Sequence, residues 1–94
     1  MTVAYVYLLR CADASLYCGW TADLTARVAA HEAGTGAKYT RSRRPVALVA
    51  AWTAEDRSAA MRLEAAVKRL TRREKEGLVA GAPLSGAARM PASA

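Results

Sequence analysis

Tyr5 and Tyr7 on one β-favouring run, and Tyr17 on a second run close by along the chain, constrain this sequence more than any other feature. Val3 to Leu9 and Leu16 to Thr21 are rich in Tyr, Val and Leu, and the short linker Cys11-Ala12-Asp13-Ala14-Ser15 lies between them, which predicts a β-hairpin. Asp13-Ala14 is a poorer turn than Asp-Gly, so the loop type stays open. Side chains alternate between the faces of a strand, so Tyr5, Tyr7 and Leu9 share one side of the first strand, as Tyr17, Gly19 and Thr21 do on the second. With Tyr7 opposite Gly19, Tyr7 and Tyr17 become diagonal neighbours on one face, and the glycine leaves space beside them. A slip of one residue separates the two rings.

Past the hairpin the period changes from two to that of a helix. Leu24, Arg27, Val28 and His31 recur at helical spacing, Asp23 or Thr21 can cap the start, and Gly34 suits a left-handed C-terminal position. Thr35 to Pro45 reads TGAKYTRSRRP, with Gly, Ser, Pro and four basic residues but no acid, and is read as a loop. Val46 to Trp52 is apolar and β-branched enough for a third strand. Thr53 and Asp56 offer a cap to a long helix with Ala60, Leu63, Val67 and Leu70 along one stripe. Thr71 and Glu74 repeat that signature and start a further helix at about Arg72 to Val79. After Gly81 the residues are mostly Ala, Gly, Pro and Ser, and a disordered tail over 81–94 is expected. The expected architecture is α+β: a small three-stranded antiparallel sheet flanked by helices, in the order β-β-α-β-α-α, with residues 1–80 as one domain.

A chain of 94 residues holds one small core, and the apolar share is inflated by alanine, so that core must come from Val, Leu, Met, Tyr and the tryptophans Trp20 and Trp52. The net charge of +6 favours a polyanion partner, because clustered Lys and Arg displace counterions from phosphates. Cys11 and Cys18 read as reduced thiols, since one His and two Cys complete no zinc set. Met1-Thr2-Val3 carries no basic leader and Arg10 interrupts the apolar run, so no signal peptide, no membrane span and a cytoplasmic location are expected.

Several residues have both a plain and a chemical reading. The tyrosines, by spacing alone, are ordinary half-buried strand residues. Arg27 and His31, four apart on one helix face, could fork onto a phosphate and move a proton near neutral pH; the bland reading is a solvated Arg beside a His favoured by the helix dipole. Glu64 falls beside Ala60 and Val67 at the edge of the apolar stripe. There it could hold a divalent cation, or simply pair with Lys68 one turn on. The loop residues Lys38, Tyr39, Arg41, Arg43 and Arg44 combine charge with an aromatic ring, which suits a phosphate backbone and an adjacent base, or else serve solubility. The basic run from Lys68 to Lys75 could equally be a solvated helix face. No P-loop, dinucleotide-binding glycine pattern or nucleophile triad is present.

Taken together, YVYLL, LYCGWT, Arg27 with His31, GAKYTRSRRP and RLEAAVKRLTRREK resemble the GIY-YIG endonuclease domain in its small stand-alone bacterial form, over about Tyr5 to Leu78. The resemblance implies metal-dependent phosphodiester cleavage, with Mg²⁺ or Mn²⁺ as cofactor and nucleic acid, DNA before RNA, as partner. Tyr7 and Tyr17 match the motif tyrosines, Arg27 the phosphate-binding arginine and Glu64 the single metal-ligating glutamate. His31 and Tyr39 match positions that accompany the site, and Lys38, Arg41, Arg43, Arg44 and Lys68 are candidates for nucleic-acid binding. Tyr5 stands in place of the first motif glycine and Cys18 in place of the isoleucine, both at positions assigned to packing. No Asn is present for the late asparagine of several relatives. Arg27, His31, Tyr39 and Glu64 are all expected to converge on the Tyr7 and Tyr17 face. Two other functions fit the same residues: a catalytically idle nucleic-acid-binding module, and a protein-interaction domain that kept the fold.

Overall fold

The strand that everything else is built on is β1 (Ala4–Arg10), which pairs on both of its edges. A computed structural model of the chain describes residues 3–90. On one side β1 pairs antiparallel with β2 (Leu16–Thr21), in the register Tyr7 opposite Gly19 and Leu9 opposite Tyr17, the one that puts Tyr7 and Tyr17 on the same face. On the other it pairs antiparallel with β3 (Ala47–Ala54), with Tyr7 opposite Ala51 and a register shift between Leu8 and Leu9. The hairpin loop turns through Ala14, a non-glycine residue at φ 69°. The left-handed region costs an L-residue roughly 1–2 kcal/mol, and the Ala14 carbonyl is held there by the guanidiniums of Arg72, at 2.6 Å, and Arg10, at 3.4 Å.

The helix ends follow their local chemistry. Helix α1 (Leu24–Ala33) starts where Asp23 accepts from the Ala26 amide at 3.1 Å and stops at Gly34, which sits at φ 87°. A short α2 (Lys38–Arg41) follows, then β3 and α3 (Arg57–Lys68), whose first turn is capped by Asp56 accepting from the Ala59 amide at 2.8 Å. Helix α4 (Arg72–Val79) begins with the full Thr71–Glu74 capping box.

Two features correct the expected order. The segment read as a loop contains α2, whose four residues are too few to show a helical period and whose Thr40 is buried. The sheet has four strands rather than three, because Ala88–Arg89 forms β4 and pairs with Trp52 and Thr53 on β3. Two residues carry no alternation to read. Tertiary contacts hold this strand, as Arg89 donates to the carbonyls of Leu78 and Val79 at the end of α4 and lies 5.4 Å over the Trp52 ring. Of the tail expected to be disordered, residues 91–94 lie outside the described residues.

Alternation along β1 divides the core between the two faces of the sheet. Val6 and Leu8 join Cys18, Ala50, Trp52, Ala60, Val67 and Leu78 on the face covered by α3 and α4. Tyr7 and Leu9 join Cys11, Val46 and Ala51 on the face covered by α1, with Leu24 and Val28 packed against them. Both cysteines are free and buried.

Candidate active site

His31 is the last inward-facing residue of α1, and burial forces a partner onto each of its ring nitrogens. Its Nε2 lies 2.8 Å from the Tyr7 hydroxyl and its Nδ1 lies 2.8 Å from Thr40 Oγ1. The Thr40 hydroxyl donates to the Ala37 carbonyl at 3.2 Å, so it accepts from His31 Nδ1–H. The imidazole is then the Nδ1–H tautomer, and Tyr7 donates to the bare Nε2. A directed chain runs from Tyr7 through His31 and Thr40 to Ala37, tying β1, α1 and α2 together.

Gly19 makes this contact possible. A Cβ there would stand 2.4 Å from the Tyr7 hydroxyl oxygen, so only glycine lets the Tyr7 ring lie across β2. Gly36 plays the same part on the far side, where a Cβ would lie 2.6 Å from His31 Nδ1. The bulk of the pair is hidden, with Tyr7 1 % exposed and His31 0 %.

Tyr17 completes an aromatic stack on the same face. Its ring centroid is 5.2 Å from that of His31 and 5.7 Å from Tyr39, which lies nearly parallel to it. The Arg43 guanidinium covers the other side of Tyr39, 3.9 Å from the ring centroid. Tyr7, Tyr17, His31 and Tyr39 are therefore brought together on one face, as the register requires.

Charge on this face comes from Arg27. Burial, then the neighbouring Tyr17, pushes the Tyr7 hydroxyl up to about 12, while the Arg27 guanidinium pulls the other way. His31 is held below its ordinary value of 6.5 by burial and then by the same guanidinium. Arg27 makes no ion pair with a carboxylate among the described residues, and its helix position is exposed. It is free to meet an anion.

Glu64 stands on α3, the helix that Ala60 and Val67 pack against the Val6 and Leu8 side of the sheet. Its carboxylate is near Cys18, whose thiol is pushed up to about 12 by burial and then by the Glu64 charge. The Glu64 side chain is 22 % exposed and its ion pair with Lys68 is a loose 3.7 Å. No three His, Cys, Asp or Glu side chains cluster for a metal among the described residues. One accessible carboxylate fits a hard divalent cation whose remaining positions are filled by water and phosphate oxygens.

The basic residues divide in two. Arg43 is spent inside the protein, on Asp13 at 3.1 Å, the Tyr39 carbonyl at 3.0 Å and the Tyr39 ring. Arg44 donates to the Arg41 carbonyl at 3.2 Å and lies against Gly34. Both brace the α2 segment under the aromatic stack. Lys38 and Arg41 are exposed on α2, and Lys68 is exposed on α3. Two positions that the sequence did not single out also face the site's surroundings. Trp20 and Arg57 line a cleft with Thr21, Ala22, Asp23 and Arg27. Thr40 was likewise invisible, because nothing in its spacing marks it as the partner of a distant histidine.

A family model described as the GIY-YIG catalytic domain matches residues 3–77. A UPF0213 protein of Natronomonas pharaonis is 54 % identical over 76 residues, covering 81 % of this chain and 89 % of the relative. One from Halalkalibacterium halodurans is 52 % identical over 75 residues, covering 80 % of each. Among solved structures, the solution NMR structure of a UPF0213 protein from Bacillus halodurans is similar with a TM-score of 0.55 and 49 % identity, over 89 % of this chain and 86 % of that one. A second, from E. faecalis, is similar with a TM-score of 0.58 and 41 % identity over 85 % of each chain.

Proposed function

Because the chain belongs to the GIY-YIG catalytic domain family, whose members are typically endonucleases that generally use divalent metals, we propose that it is a metal-dependent endonuclease. It hydrolyses phosphodiester bonds in nucleic acid, DNA in preference to RNA, with structure-guided or loose specificity, in cytoplasmic processing or repair. The observation that carries this reading is the cluster of Tyr7, Tyr17 and His31 beside Arg27, two hydroxyls and a cation on one face at the edge of the sheet.

Tyr17 is the base in this mechanism. The Tyr7 hydroxyl is buried and donates to His31, so it is committed to holding the cluster. Tyr17 is half-buried, and its hydroxyl makes no hydrogen bond within the described residues. Its free hydroxyl orients the attacking water and takes its proton. Arg27 braces the non-bridging phosphate oxygens. Glu64 would hold Mg²⁺ or Mn²⁺, and the bound ion supplies Lewis-acid stabilisation of the charge developing on the phosphate and on the departing 3′ oxygen. No other residue is asked to bind it.

A second reading, a nucleic-acid-binding module with an idle site, is favoured by the Lys68 ammonium that already pairs with the Glu64 carboxylate at 3.7 Å. Incubation of the purified protein with fork, flap, junction, single-stranded DNA and RNA substrates, with and without Mg²⁺ or Mn²⁺, separates the two. Cleavage that needs metal and is abolished in Glu64→Ala is the expected result. Wild-type rates in Glu64→Ala sink the mechanism, and salt-sensitive binding with no product supports the idle module.

A further inference from the structure

The two layers of the molecule meet at the end of β2, in a cleft of about 390 Å³ lined by Trp20, Thr21, Ala22, Asp23, Arg27 and Arg57. Arg27 comes from the helix on the tyrosine face and Arg57 from the first turn of the helix on the Glu64 face. Neither guanidinium is paired with a carboxylate among the described residues. Trp20 lies on β2, opposite Val6, with its indole only partly covered by the α3 face of the core. The one acid in the cleft, Asp23, is engaged in capping α1 through the Ala26 amide. Its charge opposes an anion, and two guanidiniums outweigh it.

Such a lining selects its ligand by chemistry. Two arginines a cleft apart suit a phosphate, which can accept from both forks. A partly exposed indole beside them suits a nucleobase, and only one that is out of its duplex, because a paired and stacked base offers no free face. Helix spacing adds a direction. Arg57 and Glu64 are seven residues apart and therefore on one stripe of α3, about 10 Å along its axis at 1.5 Å per residue.

We propose that Trp20, Arg27 and Arg57 form a subsite for one unpaired nucleotide of a polynucleotide strand, its base on the Trp20 indole and its phosphate between the two guanidiniums. The subsite gives the endonuclease its preference for substrates with a single-stranded segment next to the cleaved bond. It rests on the endonuclease reading for its biological use, but its binding chemistry can be tested without cleavage.

The test is anisotropy titration, in metal-free buffer, of labelled single-stranded DNA, the same strand with one abasic site scanned through it, RNA of the same sequence, and duplex DNA. Trp20→Ala should weaken single-strand binding about tenfold, the scale of one lost base stack, and leave duplex binding unchanged. Trp20→Phe should keep most of the affinity. Arg57→Ala should weaken binding and lower the salt slope by about 1, as for one lost phosphate contact. One abasic position should reproduce the Trp20→Ala loss in the wild type and have no further effect in that variant. Equal losses on DNA and RNA assign the subsite to the shared base and phosphate, and a loss on one alone assigns it to that strand. Trp20→Ala binding as well as wild type, or losing duplex and single strand alike, overturns the proposal. If these signatures appear but no substrate is cut, the nuclease reading fails and the subsite stands; metal-dependent cleavage without them gives the reverse.

Discussion

The two faces of the sheet are built from the same three long strands and do different work. On the α3 face, β1 contributes Val6 and Leu8, and the surface is filled with aliphatic side chains, alanine and Trp52, whose contacts have no direction. On the α1 face the intervening residue is Tyr7, and its neighbours are a buried histidine, a buried threonine and two more tyrosines that must meet at fixed angles and distances. One face is tolerant of shape and sensitive to volume. The other is sensitive to the placement of single atoms, because each buried polar atom needs its own partner. A period of two lets one strand serve both, and Arg27 and Arg57 meet where the division ends.

The sharpest way to break this comparison is to remove volume from the first face. Leu8→Ala should cost roughly 2–5 kcal/mol, the range for a buried Leu, which is a large part of a small domain's stability. Chemical denaturation measures it. An unchanged Tyr17 and His31 environment by NMR in the folded fraction is expected, and collapse of both would show that the faces are not separable. Tyr7→Phe makes the opposite change, keeping volume and leaving His31 Nε2 without its donor. It should cost about 1–3 kcal/mol; no loss would mean that water replaces the hydroxyl, so the directed chain is dispensable.

Gly19→Ala tests atomic placement with a single methyl group. The new Cβ must displace the Tyr7 ring, with a cost on the order of 1–3 kcal/mol for overpacking, and the exchange of the His31 imidazole signal should shift with it. Wild-type stability and an unshifted signal would show that the Tyr7 ring has room to move. The smallest effect is pH dependence. Because burial depresses the His31 pKa, its contribution is complete above the unfolded value of 6.5 and is lost as pH falls through the folded value, where the unfolded chain takes up a proton first. Denaturation midpoints should therefore fall as pH is lowered from about 6.5. This is the chain's only histidine, so His31→Gln should flatten the slope, and a slope that persists assigns it elsewhere.

Much of the plan was legible because it is local. A shared face for Tyr7 and Tyr17 requires one register, and the register found, Tyr7 opposite Gly19, is that one. Asp23, Gly34, Asp56 and the Thr71–Glu74 pair mark helix ends through bonds spanning a few residues, so their chemistry is visible in the string itself. A four-residue helix and a two-residue strand fall below the length at which any period can be read, which is why α2 and β4 were absent from the expected order.

The sequence by itself determined which residues can share a face of a strand or a helix, since that follows from backbone periods of 2.0 and 3.6. It thereby set Tyr7 on one side of β1 with Tyr5 and Leu9 and placed Arg27 one turn from His31, while the strand register put Tyr17 beside Tyr7. Only the tertiary structure decided which layer each helix joins. Helix α1 brings Arg27 and His31 to the tyrosines, whereas α3 buries Ala60 and Val67 against Val6 and Leu8 on the other face. It also decided the tautomer of His31, through a threonine nine residues away, and spent Arg43 and Arg44 on bracing the loop they belong to. The physical reason is the same in each case: periodicity is a property of the backbone, while the partner of a buried polar group is chosen by whatever the folded chain brings within 3 Å of it.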